Sequence, residues 1–263
     1  MNHKRIILGL RPVNTIWSVF VMDPISAFMG RLIADYTKLR PIHITILSFL
    51  MSIVSAYFFL QGDYKSILLA VLVFQISNIL DNIDGLLARI KLGSGSVLGL
   101  VLDHTLDPWR VILNILALCY TVYSKTNDNG IFILALLFLC IHFMDWTLPR
   151  TINKIRGAYE TLYSPNIKKI DFYMIKLKDI FSKVNLKVIF FGTHEREILV
   201  LGIAPILSME HEVFFTTILV SLFFFVMRLM FDIALLKNEI VNNTKEYLGD
   251  SFNPWEGGVK NGR

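Results

Sequence analysis

Asp81-Asn82-Ile83-Asp84-Gly85-Leu86-Leu87-Ala88-Arg89, followed by Gly99, Asp103 and Asp107, is the stretch that decides how the rest of the chain is read. Four carboxylates fall within 27 residues, in or beside two segments otherwise apolar enough to span a membrane. An ionisable residue at membrane depth is costly and marks a functional site by default. On a helix, Asp81, Asp84, Gly85 and Ala88 stand at i, i+3, i+4 and i+7, which is one face. Gly99, Asp103 and Asp107 stand at i, i+4 and i+8, again one face. Two helices facing each other through these stripes bring four carboxylates together, with small residues leaving room beside them. Such a group repels itself strongly in a low dielectric unless cations lie between its members. Oxygen-only ligands select hard divalent ions such as Mg²⁺ or Mn²⁺, which favour phosphate-bearing substrates. A lone intramembrane aspartate, as at Asp145 or Asp232, is equally well explained by pairing with another helix, for instance Asp232 with Arg228 one turn earlier. Four at helical spacing on consecutive spans point to function.

The composition agrees with a membrane setting. The 263 residues are 54% hydrophobic and 13% aromatic, with a mean hydropathy of +0.55, too apolar for an ordinary soluble domain. Cys119 and Cys140 both lie in apolar runs, which argues for packing residues and against a disulfide framework. The net charge of +5 is spread between apolar segments, so it fits anionic lipid and topology control, with no nucleic acid as partner. The first dozen residues are basic and no small-residue cleavage site follows a short apolar core, so no cleavable signal peptide is expected.

The chain in order gives an all-α integral membrane protein with six transmembrane helices preceded by an amphipathic interfacial helix. Residues 1–40 form a cytoplasmic N-terminal segment. Within it Asp23-Pro24 marks a helix start, and the apolar positions Ile25, Phe28, Met29, Leu32, Ile33 and Tyr36 recur at helical spacing on a segment too short and polar to span. Residues 41–238 form the catalytic membrane domain, with spans at about 42–61, 66–89, 97–123, 131–146, 197–208 and 213–236, the fifth being short unless its helix begins near Thr193. The fourth is expected to end at Pro149-Arg150. Residues 150–196 are a lysine-rich cytoplasmic loop, amphipathic around 170–188, and 239–263 are a polar tail. An Asn242-Asn243-Thr244 sequon falls in that tail and carries no meaning on the cytoplasmic side. By count, six lysines and arginines lie in the N-terminal segment, ten in the 150–196 loop and two in the three opposite turns. The basic side is cytoplasmic, and the aspartates lie on it. The protein is thus expected in the cell (inner) membrane as a multi-pass protein, with its active site facing the cytoplasm and membrane lipids around it.

The quoted stretch resembles the signature of the CDP-alcohol phosphotransferase (CDP-alcohol phosphatidyltransferase) family, D-x2-D-G-x2-A-R, a short gap, then G-x3-D-x3-D. All eight positions are filled, by Asp81, Asp84, Gly85, Ala88, Arg89, Gly99, Asp103 and Asp107. The gap between Arg89 and Gly99 is one residue longer than is usual in the family, and the Lys91-Leu92-Gly93-Ser94-Gly95-Ser96 turn absorbs it. The resemblance implies a phospholipid-synthesis enzyme that moves a phosphatidyl-type group from a CDP-linked lipid donor to a small polar alcohol acceptor, releasing CMP. It implies two divalent ions, Mg²⁺ or Mn²⁺, held by Asp81, Asp84 and Asp103, with Asp107 as general base and a contact to one ion. It implies a CDP site at Asp81, Gly85, Ala88, Arg89 and Gly99, and a homodimer. Small residues also serve helix packing in membranes, and Arg89 has a second reading as a brace for the interfacial helix.

Two further features bear on the acceptor. Arg150, Lys154, Arg156 and Arg196 cluster at the cytoplasmic ends of spans four and five. They suit ordinary positive-inside charge first, and as the alternative an anion site for a phosphorylated acceptor, for which Arg196 is the best placed. His104 beside Asp103 also occurs in choline- and ethanolamine-phosphotransferases of the family, which use a soluble CDP-alcohol and a lipid acceptor; a packing histidine explains it as well. Outside the family, a membrane prenyltransferase would have more spans and two separate Asp-rich motifs. A divalent-cation transporter would line a path with polar residues on several spans, whereas the half of each span away from the aspartates reads as almost purely apolar.

Overall fold

The computed structural model describes residues 13–91, 97–163, 187–189, 192–208, 211–248, 252–253 and 258–259. Helices carry the architecture: α1 (Asp23–Tyr36), α2 (Pro41–Gln61), α3 (Tyr64–Lys91), α4 (Val97–Thr126), α5 (Gly130–Tyr163), α6 (Thr193–Glu197), α7 (Ala204–Leu207) and α8 (His211–Leu248). π-helical stretches at Ser18–Met22 and Ile198–Ile203 lead into α1 and join α6 to α7. Two short ladders accompany them: β1 (Val13–Thr15) pairs in parallel with β2 (Lys187–Ile189), and β3 (Phe252–Asn253) antiparallel with β4 (Gly258–Val259). Among the described residues, four helices are long and apolar enough to cross a membrane, with their spans at Pro41–Gln61, Tyr64–Lys91, Gly130–Thr147 and Glu212–Met230.

The described chain divides into two compact units, Met1–Cys140 with Tyr173–Ser221, and Ile141–Phe172 with Leu222–Arg263. In the first, α2 packs along both α3 and α4, and α1 lies against α3. The apolar core joins Phe59, Phe74, Ile115, Phe138, Leu201 and Phe214 from successive helices. Helix α2 opens with Pro41 at its first position, where the missing N–H costs nothing. It closes on Gly62, whose φ of 73° is left-handed. Thr121 lies close enough that a Cβ at 62 would meet its Cγ2 at 2.9 Å. Asp63 then accepts from the Ser66 hydroxyl (2.6 Å) and amide (3.0 Å), which hold its carboxyl below its ordinary 3.8 and start α3.

The expectation that each span is almost purely apolar away from the aspartates needs correction. Ser48, Ser52 and Ser55, at i, i+4 and i+7 on α2, are buried and form a hydrogen-bonded seam with α3 and α4. Ser48 and Ser77 exchange hydroxyl-to-carbonyl bonds of 2.9 and 2.8 Å. Ser55 donates to the Ala70 carbonyl (2.8 Å) and shares its oxygen system with Asn114 (2.7 Å). Asn114 in turn donates to Ser52 Oγ (2.8 Å) and to the Arg110 carbonyl (2.8 Å). Small hydroxyl residues let membrane helices approach closely and give them directional contacts.

One element boundary also differs, and another falls at the earlier start the sequence allows. Helix α5 runs through Pro149 to Tyr163, so residues 150–163 are helical where a loop is expected. A proline removes one backbone donor and bends a helix, but flanking turns can carry the path onward. The fifth segment is helical from 193, and its 193–207 reach is roughly 22 Å at 1.5 Å per residue. The side chains of Arg150, Lys154, Arg156, Asp232 and the sequon, and the whole of residues 170–186 and 1–12, lie outside the described residues.

In the second unit, Asp145 on α5, which is 3% exposed, pairs with Arg228 on α8 at 2.8 Å. That is the helix-pairing use of an intramembrane aspartate, made here by Asp145.

Candidate active site

Helix α3 carries Asp81 and Asp84 in its C-terminal half and α4 carries Asp103 and Asp107 in its N-terminal half. Each pair sits on one helical face, as the spacing dictates. Asp81, Asp103 and Asp107 come together: one carboxylate oxygen from each lies within 4.8 Å of the others. At that separation two carboxylates repel by about 3 kcal/mol at an effective dielectric of about 20. Three oxygens so arranged suit a hard divalent cation, so the residues present fit such an ion. Asp81 retains 17% of its side-chain exposure, Asp107 27% and Asp103 34%, so the group opens on the Asp103 side.

Asp84 stands apart from this trio. It is buried and accepts a 2.5 Å hydrogen bond from Thr45 Oγ1 on α2. Of the other signature positions, Gly85 lies under the Arg89 guanidinium, whose Nη1 would be 3.3 Å from a Cβ built at 85. Ala88 and Gly99 are half-buried and Arg89 is exposed. His104 Nδ1 is 3.8 Å from Asp103. Lys91, which the sequence places in a turn, donates to the Thr37 and Leu39 carbonyls at 2.9 and 3.0 Å, tying the end of α1 to the end of α3.

Sequence reasoning missed the residue nearest the trio. Arg110, one turn after Asp107 and buried, places Nη1 2.7 Å from Asp81 Oδ1 and 3.3 Å from Asp107 Oδ1. Its Nη2 donates to Asn78 Oδ1. The Asn78 amide nitrogen donates to Glu197 Oε2 at 3.3 Å, and Glu197 faces His194 Nδ1 at 3.6 Å. A further carboxylate, Glu195, accepts from the backbone N–H of Trp17 (2.8 Å) and of Gly192 (2.7 Å). Arg110 interrupts an apolar run at membrane depth, and that was the available signal. Arg196, between these two glutamates, is fully buried.

The model of one known family, CDP-alcohol phosphatidyltransferase, matches residues 38–175 of the chain. A relative from Thermococcus kodakarensis, a bifunctional IPC transferase and DIPP synthase, is 35% identical over 135 residues. The match takes in 51% of this chain and 28% of that protein, so the chain spans well under two thirds of its relative's length. The family match includes the eight signature positions and all the residues of the aspartate group, and the chain belongs to the CDP-alcohol phosphatidyltransferase family.

Proposed function

We propose that this protein is a multi-pass membrane enzyme that transfers a phosphatidyl-type group from a CDP-linked lipid to a small polar alcohol, releasing CMP. The observation that carries the reading is the convergence of Asp81, Asp103 and Asp107 oxygens from two helices within 4.8 Å, inside the family match. Asp84, on the same face of α3 but engaged by Thr45, would turn toward the trio to complete the ligand set for two ions. Bound there, Mg²⁺ or Mn²⁺ neutralises the charge of a diphosphate and of the departing CMP. Asp107 takes the proton of the acceptor hydroxyl. The acceptor oxygen then forms its bond to the phosphorus bearing the donor lipid, while the bond from that phosphorus to the bridging oxygen of CMP breaks. Gly85, Ala88 and Gly99 leave the nucleotide room against the helix backbones, and Arg89 lies at the same surface.

Six spans support this chemistry in our reading. Besides the four long apolar helices, α4 and the 193–207 segment cross; α4 falls short of an apolar helix because it carries Asp103, His104, Asp107 and Arg110. Helix α1, with Phe28, Leu32 and Tyr36 exposed, lies along the interface. Residues 41–238 act as the membrane domain of a homodimer. Arg196 binds the phosphate of a phosphorylated acceptor. A cation transporter is disfavoured because the seam hydroxyls of α2, α3 and α4 are engaged in hydrogen bonds with neighbouring helices.

The test mixes purified protein, Mg²⁺ and a CDP-lipid with a panel of acceptors and follows CMP and lipid product. CMP release that needs both an acceptor alcohol and the ion is expected. Full activity in excess chelator sinks the metal reading, and release only with a soluble CDP-alcohol and a lipid acceptor moves the protein to the choline/ethanolamine type.

A further inference from the structure

Arg110 is tied down at both ends. Its carbonyl accepts from Ser52 Oγ at 3.2 Å and from Asn114 Nδ2 at 2.8 Å, which fixes the backbone where α4 meets α2. Its guanidinium faces Asp81 on one helix and Asp107 on another with a single nitrogen, at 2.7 and 3.3 Å, and gives Asn78 the other. Asn78 cannot turn freely. Its amide donates to the Glu197 carboxylate, so its oxygen is presented to the arginine. The chain of contacts runs from the fifth segment through α3 to α4 and ends on two of the three convergent aspartates.

We propose that Arg110 is a positioning residue for the metal ligands, holding the Asp81 and Asp107 carboxylates at ligand spacing while Asn78 and Glu197 hold the guanidinium. The inference rests on the proposed metal reading of the aspartate trio. A planar fork is required for the task. A lysine ammonium is a compact point charge on a flexible stem and does not satisfy two carboxylates and an amide in a fixed plane. Groups that orient metal ligands typically change affinity by about ten- to a hundredfold when altered.

The experiment is a Mn²⁺ titration of purified full-length protein, followed by electron paramagnetic resonance with no nucleotide or lipid present. Arg110→Lys, which keeps the charge and loses the fork, is expected to weaken Mn²⁺ binding by about tenfold or more. Arg110→Gln is expected to weaken it too, although it makes the group more negative. Wild-type affinity in Arg110→Lys, or tighter binding in Arg110→Gln, overturns the proposal, since the arginine would then be a charge balance or a competitor. If both variants fail to fold, Asn78→Ala decides. It leaves both ion pairs in place, and weaker Mn²⁺ binding supports positioning while unchanged binding overturns it. A wild-type protein that takes up no Mn²⁺ defeats the metal reading itself, whereas wild-type binding with unaffected variants defeats this inference alone.

Discussion

Arg196 has the sequence position of a topological charge and the burial of a binding one. A positive-inside residue acts from the aqueous boundary, yet Arg196 is 0% exposed, and arginines are almost never fully enclosed unless paired. Its neighbour Glu197 reaches the Asn78–Arg110 network around the aspartates. Losing one charge-assisted contact costs about 1.5–3 kcal/mol, or roughly ten- to a hundredfold. Arg196→Ala is therefore expected to raise the acceptor KM by that order and to leave the CDP-lipid KM nearly unchanged. Steady-state kinetics with each substrate varied in turn checks this; an unchanged acceptor KM returns Arg196 to a structural role. At this scale the signature aspartates were legible because their spacing is helical and their burial in apolar segments is costly. The hydrogen bond from Thr45 to Asp84 was not legible, because it joins residues 39 positions apart and nothing local announces it. Arg110 was overlooked because four carboxylates drew the reading toward anions, although a cation at the same depth is just as costly.

At the level of elements, Asn114 is the knot of the α2–α3–α4 seam, meeting Ser52, Ser55 and the Arg110 carbonyl. Interhelical hydrogen bonds in membranes contribute about 0.6 kcal/mol each on average and up to about 1.7. Replacing Asn114 with Ala removes several at once and is expected to destabilise the protein by about 1–2 kcal/mol. A thermal or denaturant unfolding curve in detergent measures it, and an unshifted midpoint would show that the seam is held by packing alone. The helix starts at Pro41 and near Tyr64 and the stop at Gly62 were legible, because proline, glycine and an Asp-x-x-Ser cap act locally. The seam itself was not, since hydropathy counts serine and threonine as near neutral and hides their stripe. The continuation of α5 past Pro149 was missed for the opposite reason: proline was given full weight as a stop, while its cost is a single backbone donor and a bend.

For the whole molecule, the charge count predicts that the aspartates and the ends of α1 and α3 face the cytoplasm and the Asp128–Gly130 turn faces outside. Single cysteines test this in a background lacking Cys119 and Cys140. Asn129→Cys, at an exposed position, should react with an impermeant thiol reagent on intact cells. Lys38→Cys, also exposed, should react only after permeabilisation. The reverse pattern would invert the protein and put its site on the side without cytoplasmic nucleotide. The division into two compact units was not legible in the sequence, because it depends on contacts between distant segments.

The length of the fifth segment matters for the lipid around it. Its 193–207 helical reach is roughly 22 Å, against a hydrocarbon layer of about 30 Å. A helix shorter than the layer it meets is accommodated by local thinning of the bilayer or by flanking polar groups drawn inward. Here Glu197 and Arg196 stand at the short end, next to the network that reaches the aspartates. On the proposed six-span reading, thinning of the leaflet at that place would lower the headgroup region toward the carboxylates. A CDP-linked lipid would then meet the proposed site without leaving its leaflet, the short span doing the work of delivery.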